Sequence, residues 1–240
     1  MPRWTDAITR AGGVVYHLAA LRHRRLWADH VAATAQFLAT WQPTQRKLFV
    51  LGPSGGYSLP MSLLGEFTEV VGAEPDPMAR TVFQRRFPEV SITWDDSDYL
   101  GPRNGAMTVA GLTELRARYP DYAVLFCNVL GQLPILHEEA QTEGFFDYID
   151  AIPEALAGTS WASYHDRVSG PWPPAIAEFE LPSAVATEAL LMRVYPNYQS
   201  GVEFDYGDHL TGGLAPNRPR RLWTWQRTPA HFHVIEGVHV

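Results

Sequence analysis

Between Lys47 and Tyr164 five short apolar runs are separated by four segments of helical length, and this alternation constrains the fold more than any other feature. Residues 47–51, 69–73, 90–94, 123–127 and 159–164 read as strands, too short for helices and bounded by turn-forming residues. Between them Leu59, Leu63 and Phe67 share one helical face, with Pro60 tolerated in the first turn. Asp76 caps a helix whose first residue is Pro77. A third helix, 109–118, ends before Pro120, and a fourth, 144–156, is stopped by Gly158. Strands joined in this way lie parallel through right-handed crossovers. Ahead of them Trp27, Val31, Thr34, Ala35 and Leu38 recur at helical spacing, so residues 20–41 read as one amphipathic helix closed by Pro43. Behind them come a loop with Pro171, Pro173 and Pro174, a helix over 183–194, and strands 221–226 and 231–236 flanking a hairpin loop at 227–230.

The expected fold is therefore α/β: a Rossmann-like open, mostly parallel sheet of about seven strands, with helices on both faces and a C-terminal antiparallel hairpin. The 240 residues suit a single domain, 1–240, with 1–45 as a helical cap or lid and 46–240 as the core. Hydrophobic residues at 46% and charged residues at 19% are ordinary for a globular chain. One cysteine, Cys127, excludes an internal disulfide and a multi-cysteine zinc site, and suits a reducing, cytoplasmic setting. The apolar patch 11–21 contains His17 and precedes the basic run 22–25, which is not the order of a signal peptide. No stretch reaches the ~18 apolar residues of a spanning helix, so no membrane partner is expected. A net charge of −7 argues against nucleic acid and leaves a small-molecule substrate as the expected partner, with the oligomeric state open.

Ligands of an open parallel sheet bind beyond the carboxyl ends of its strands. Those ends carry Gly52 to Tyr57, Glu74, Asp95 with Asp96, Asn128, and His165 with Asp166. Gly52 and Glu74 lie 22 positions apart (74 − 52), close to the ~20 at which an acid following a glycine turn reaches ribose hydroxyls. At these residues the chain resembles the class I S-adenosylmethionine-dependent methyltransferases. Val50-Leu51-Gly52-Pro53-Ser54-Gly55-Gly56 is similar to their acidic-x-G-x-G-x-G motif, with Gly52 and Gly56 matching, Ser54 at the middle glycine and Val50 at the acid. Val70 to Pro77 resembles their acidic ribose-binding segment, and Leu125 to Leu133 the segment beside the methyl donor. A terminal antiparallel hairpin is also a feature of that family. The resemblance implies S-adenosylmethionine as cofactor, with Gly52, Ser54 and Gly56 around its amino-acid portion, Glu74 on the ribose, Asp95 or Asp96 on the adenine, and Asn128 nearby. It leaves open an active small-molecule methyltransferase or a non-catalytic relative that binds without transferring. Nothing like Asn/Asp-Pro-Pro-Tyr follows the fourth strand, so nucleic-acid amino groups are not suggested.

Other readings compete at the same residues. Gly52-Pro53-Ser54-Gly55-Gly56 is also G-x-S-x-G, which would make Ser54 a hydrolase nucleophile. That motif normally follows several strands and an upstream oxyanion loop, and here a helical region precedes it. A nicotinamide site would need glycines where Ser54 and Tyr57 stand. His165 is the candidate general base if an acceptor must be deprotonated, a hydrogen-bonded loop histidine being the competing reading. His231 and His233 share a strand face as metal ligands can, but without a neighbouring carboxylate-rich motif, so no metal is expected. Trp4, Trp27 and Trp172 could line an aromatic pocket, and Cys127 reads as a small buried hydrophobe.

Overall fold

A computed structural model describes residues 13–137 and 142–240. Trp4 and the rest of residues 1–12 of the expected cap lie outside them. Strands β1 (Lys47–Leu51), β2 (Glu69–Ala73), β3 (Ile92–Asp95), β4 (Tyr122–Cys127) and β5 (Trp161–Gly170) run parallel, in the spatial order 3-2-1-4-5. The order reverses between β1 and β4, which is where such a sheet opens a crevice. Beyond β5 the sheet turns antiparallel. The hairpin β8 (Arg220–Thr228) and β9 (His231–His239) inserts β9 between β5 and β8, and β6 (Glu178–Leu181) closes that edge. A two-residue β7 (Gly207–Asp208) pairs with the far end of β5, giving nine strands rather than about seven. The two extra strands come from the stretch between 171 and 219, where no sequence periodicity marks them.

Alternation along β1 shows how the sheet is sandwiched. Leu48 and Val50 enter one core cluster with Phe37 and Leu38 of α2 (Ala28–Thr40) and Phe83 of α4 (Pro77–Arg86). Phe49 and Leu51 enter the opposite cluster with Leu112 of α5 (Ala110–Arg118) and Ile149 of α7 (Thr142–Ala155). Full burial of such side chains stabilises by about 1.5–3 kcal/mol each. A third cluster packs Leu190 and Leu191 of α8 (Thr187–Val194) on Val168, Leu222 and Val234 of the antiparallel half.

Three expectations change. The helix expected over 20–41 is two helices, α1 (Gly13–Arg22) and α2, broken by a turn at 23–27. The basic residues there stay at the surface while Trp27 is buried, its indole N–H donating to the Arg227 carbonyl at 3.0 Å. The helix expected to carry Leu59, Leu63 and Phe67 shortens to α3 (Met61–Leu64), between Pro60 and a turn at Gly65. Most consequentially, β5 runs six residues past Tyr164, and all ten of its residues are buried. His165 and Asp166 therefore sit inside the sheet and not at a strand end. Of the tryptophans, Trp27 packs against Tyr16, Tyr57 and Trp225, whereas Trp172 stands exposed beside Phe204.

Candidate functional site

Where β1 ends, the Gly52 N–H continues the sheet pairing to the Ala73 carbonyl (2.9 Å), and the chain then turns sharply. Gly52 has φ +62°, and a Cβ there would lie 2.8 Å from Cβ of Val129, on the segment after β4. The turn thus presses backbone against the β4 side of the crevice. Ser54 also has a positive φ, +49°, unusual for a residue with a side chain. Its N–H donates to Glu74 Oε2 at 2.8 Å, while the Asp76 N–H donates to Oε1 at 3.0 Å. The glycine turn and the acid after β2 are therefore joined directly.

Glu74 is 8% exposed, and burial pushes its carboxyl up to about 6 against the pull of those two N–H bonds and of Arg80. Each of its oxygens accepts one backbone bond and keeps lone-pair capacity for another donor. Below it, Asp76 caps α4 by accepting from the Met78 N–H at 2.8 Å. From the other side α1 packs onto the turn, with His17 Nδ1 2.8 Å from the Tyr57 hydroxyl.

The two acids at the end of β3 have different roles. Asp95 is spent internally: Oδ2 accepts the hydroxyls of Tyr99 and Tyr119, each at 2.7 Å, and Oδ1 accepts the Ser97 N–H. Asp96 is exposed and pairs with Arg80 at 2.7 Å. The same Arg80 donates to the Glu74 carbonyl and lies over the Trp94 ring, so it ties the ends of β2 and β3 together.

Asn128, after β4, has φ +52°, donates its N–H to the Tyr164 carbonyl, and directs Nδ2 to Asp166 Oδ2 at 3.3 Å. Its Oδ1 is buried without a partner. Gln132 donates to the same Asp166 oxygen at 2.6 Å.

Asp166 gathers a second group. His233 Nδ1 lies 2.9 Å from Oδ1, and His209, just after β7, lies close by. One potential ligand atom from each of Asp166, His209 and His233 falls within 4.8 Å of the others, and all three residues are buried. The sequence gives no reason to expect a metal here, because no carboxylate-rich motif stands near His231 and His233 along the chain. The carboxylate arrives from β5 and the second histidine from the aperiodic stretch before β8. No local signal joins segments this far apart.

His165, the base expected from sequence, is elsewhere. Neighbouring strand residues point to opposite faces, so it faces away from Asp166. It is fully buried, with Nδ1 2.8 Å from Ser163 Oγ and Nε2 3.6 Å from Glu236. Arg167 and Arg220 pair with that same Glu236. Burial pushes the His165 imidazole down, and the cluster is a buried network of His165, Arg167 and Arg220 around Glu236. Ser54 has the Glu74 carboxylate as its neighbour, and no hydrogen bond among the described residues links its hydroxyl to a histidine, so the hydrolase reading has no base. A cavity of about 330 Å³ lies by α7, lined by Phe146, Val185, Asp208, Leu210, Gly212 and Gly213.

No protein-family profile matches the chain, and no curated protein does. Among solved structures it is similar to the N-methyltransferase NodS from Bradyrhizobium japonicum in complex with S-adenosylhomocysteine: 13% identity, 92% of this chain and 86% of that one, TM-score 0.41. It is similar to a TehB-like SAM-dependent methyltransferase from Corynebacterium glutamicum: 19% identity, 63% and 72% coverage, TM-score 0.38. It is also similar to a protein assigned to the Zn-dependent alcohol dehydrogenases of Rhodobacter sphaeroides: 12% identity, 67% and 56% coverage, TM-score 0.36. None of these three reaches a TM-score of 0.5, so function has to be read from this chain's own residues.

Proposed function

We propose that the chain is an S-adenosylmethionine-dependent methyltransferase acting on a small molecule. The observation that carries the reading is the bond from the Ser54 N–H to Glu74, which fixes a glycine turn and a half-protected carboxylate together at the switch in strand order. The antiparallel β9 between β5 and β8 supports the same reading, because a terminal antiparallel hairpin marks the family that the sequence resembles.

The residues present fit that cofactor. Gly52 brings bare backbone to the turn, where a Cβ would collide with Val129, Glu74 retains acceptor capacity for two ribose hydroxyls, and Asn128 Oδ1 is a buried oxygen still lacking a donor. Val50 is wholly buried in the core, so the cofactor's ammonium group needs another acceptor, and Asn128 Oδ1 is the one at hand. Asp96, exposed and paired with Arg80, replaces Asp95 as the acid on the adenine side. When bound, the sulfonium supplies an electrophilic methyl group. The chain's own work is to bind, orient and exclude water, with α1 packed over the turn and Asn128 and Gln132 fixing the polar wall after β4.

The test is incubation with methyl-tritiated S-adenosylmethionine and a fractionated small-molecule extract. Label in a small-molecule fraction, lost in Glu74→Ala, is the expected result. Cofactor binding without transfer to any fraction would favour the non-catalytic reading, for which the buried Val50 is the motivating departure.

A further inference from the structure

We propose that Asp166, His209 and His233 form a binding site for one divalent transition-metal ion, of the kind that imidazole and carboxylate ligands select, with zinc as the resident ion. The proposal does not rest on the methyl-transfer reading, although Asp166 is held by Asn128 and Gln132, the two residues assigned above to the polar wall after β4.

Three segments deliver the ligands: the middle of β5, the residue after β7, and β9. Their candidate donor atoms lie within 4.8 Å of one another, in a pocket where Asp166 is 0%, His209 5% and His233 3% exposed. The surroundings set each ligand's chemistry. His209 Nδ1 is 2.7 Å from the Gly131 carbonyl, which can only accept, so Nδ1 carries the proton and Nε2 presents its lone pair. That Nε2 meets only the Ser169 hydroxyl at 3.0 Å. A backbone carbonyl behind one ring nitrogen is the usual way a ligating histidine is held in its tautomer. Asp166 is oriented likewise, its Oδ2 fixed by the side-chain amides of Gln132 and Asn128.

Two independent observations point to a cation site. His233 Nε2 is buried with no hydrogen-bond partner, so one ring nitrogen of this histidine is unspent. In addition, Asp166 is a fully buried carboxylate whose charge has no salt-bridged lysine or arginine among the described residues: the one ionisable group within that distance is His233. Burying a carboxylate with no lysine or arginine paired to it is costly. A divalent ion bound between the three residues supplies positive charge directly at the carboxylate. Magnesium and calcium suit the site poorly, because two of its three ligands are imidazoles. Three protein ligands leave a coordination position open for water or a substrate oxygen.

The experiment is titration of chelator-treated full-length protein with Co(II), read by visible absorption, followed by Zn(II) competition. One equivalent of Co(II) with the intense bands of a low-coordinate nitrogen and oxygen site, displaced by one Zn(II), is expected. His209→Ala and His209→Gln should each weaken binding at least about 100-fold. Gln132→Ala, which removes an outer-shell partner, should weaken it about 10–100-fold, and His23→Ala should leave it unchanged. Absence of stoichiometric Co(II) and Zn(II) binding to the folded wild-type protein overturns the proposal whatever the variants do. Binding that survives both His209 substitutions overturns it as well.

Discussion

Replacing Glu74 by Gln sets two effects of opposite sign against each other, and pH separates them. In the folded chain burial raises the Glu74 carboxyl from 4.5 to about 6, which makes its ionisation about 2 kcal/mol harder than in the unfolded chain. A carboxyl raised in this way contributes stability that is fully present below pH 4.5 and lost as pH rises through about 6. Glutamine has no such dependence. It offers one oxygen where Ser54 and Asp76 both donate, and the backbone N–H left unpaired costs about 1–3 kcal/mol at every pH. The difference in unfolding free energy, wild type minus Glu74→Gln, should therefore favour wild type most in acid and shrink by about 2 kcal/mol between roughly pH 4 and pH 7. For a chain this long that is about 4–8 °C in melting temperature. Urea unfolding of both proteins across that range measures it directly. Parallel curves, with a constant offset and no change of slope between pH 4.5 and 6, would refute the burial argument for Glu74.

Other positions give equally definite expectations. Glu236→Gln should cost about 3–5 kcal/mol in urea unfolding, because it strands Arg167 and Arg220 in the sheet interior, and a loss below about 1 kcal/mol would mean the backbone carbonyls suffice for them. Burial opposes ionisation of Glu236, but Arg167 foremost among its neighbours holds it at about 2, so its contribution is present above pH 4.5 and lost as pH falls from there through about 2. Gly56→Ala should destabilise by about 2–5 kcal/mol, since the new Cβ would collide with the Phe87 ring at a φ of +68°; near-wild-type stability would show that the turn relaxes freely.

The parts legible in the sequence are those with local signals. Lys47–Leu51 and Glu69–Ala73 are apolar runs punctuated by glycine and proline, and Asp76-Pro77 opens a helix by capping chemistry alone, so β1, β2, the turn between them and Glu74 could be located without coordinates. The rest depends on partners far along the chain. His165, Asp166 and Arg167 look like a polar strand end, yet β5 continues through them, because Glu236 on β9 pairs with His165 and Arg167 while His233 on β9 hydrogen-bonds Asp166. The cluster at Asp166 is invisible for the same reason: a carboxylate at 166 acquires histidines from 209 and 233 only once β7 and β9 have paired with β5. Asp95 misleads in the opposite sense, since the tyrosines at 99 and 119 that occupy it give no sign in the sequence that they fold back onto it.

The central claim, that the glycine turn and Glu74 hold S-adenosylmethionine, is tested most directly by calorimetric titration of the full-length protein with S-adenosylhomocysteine, alongside Glu74→Ala. The account predicts saturable one-to-one binding to the wild type, weakened at least tenfold, or about 1.4 kcal/mol, in the variant. Absence of binding at millimolar ligand, or equal affinity in the two proteins, would contradict it.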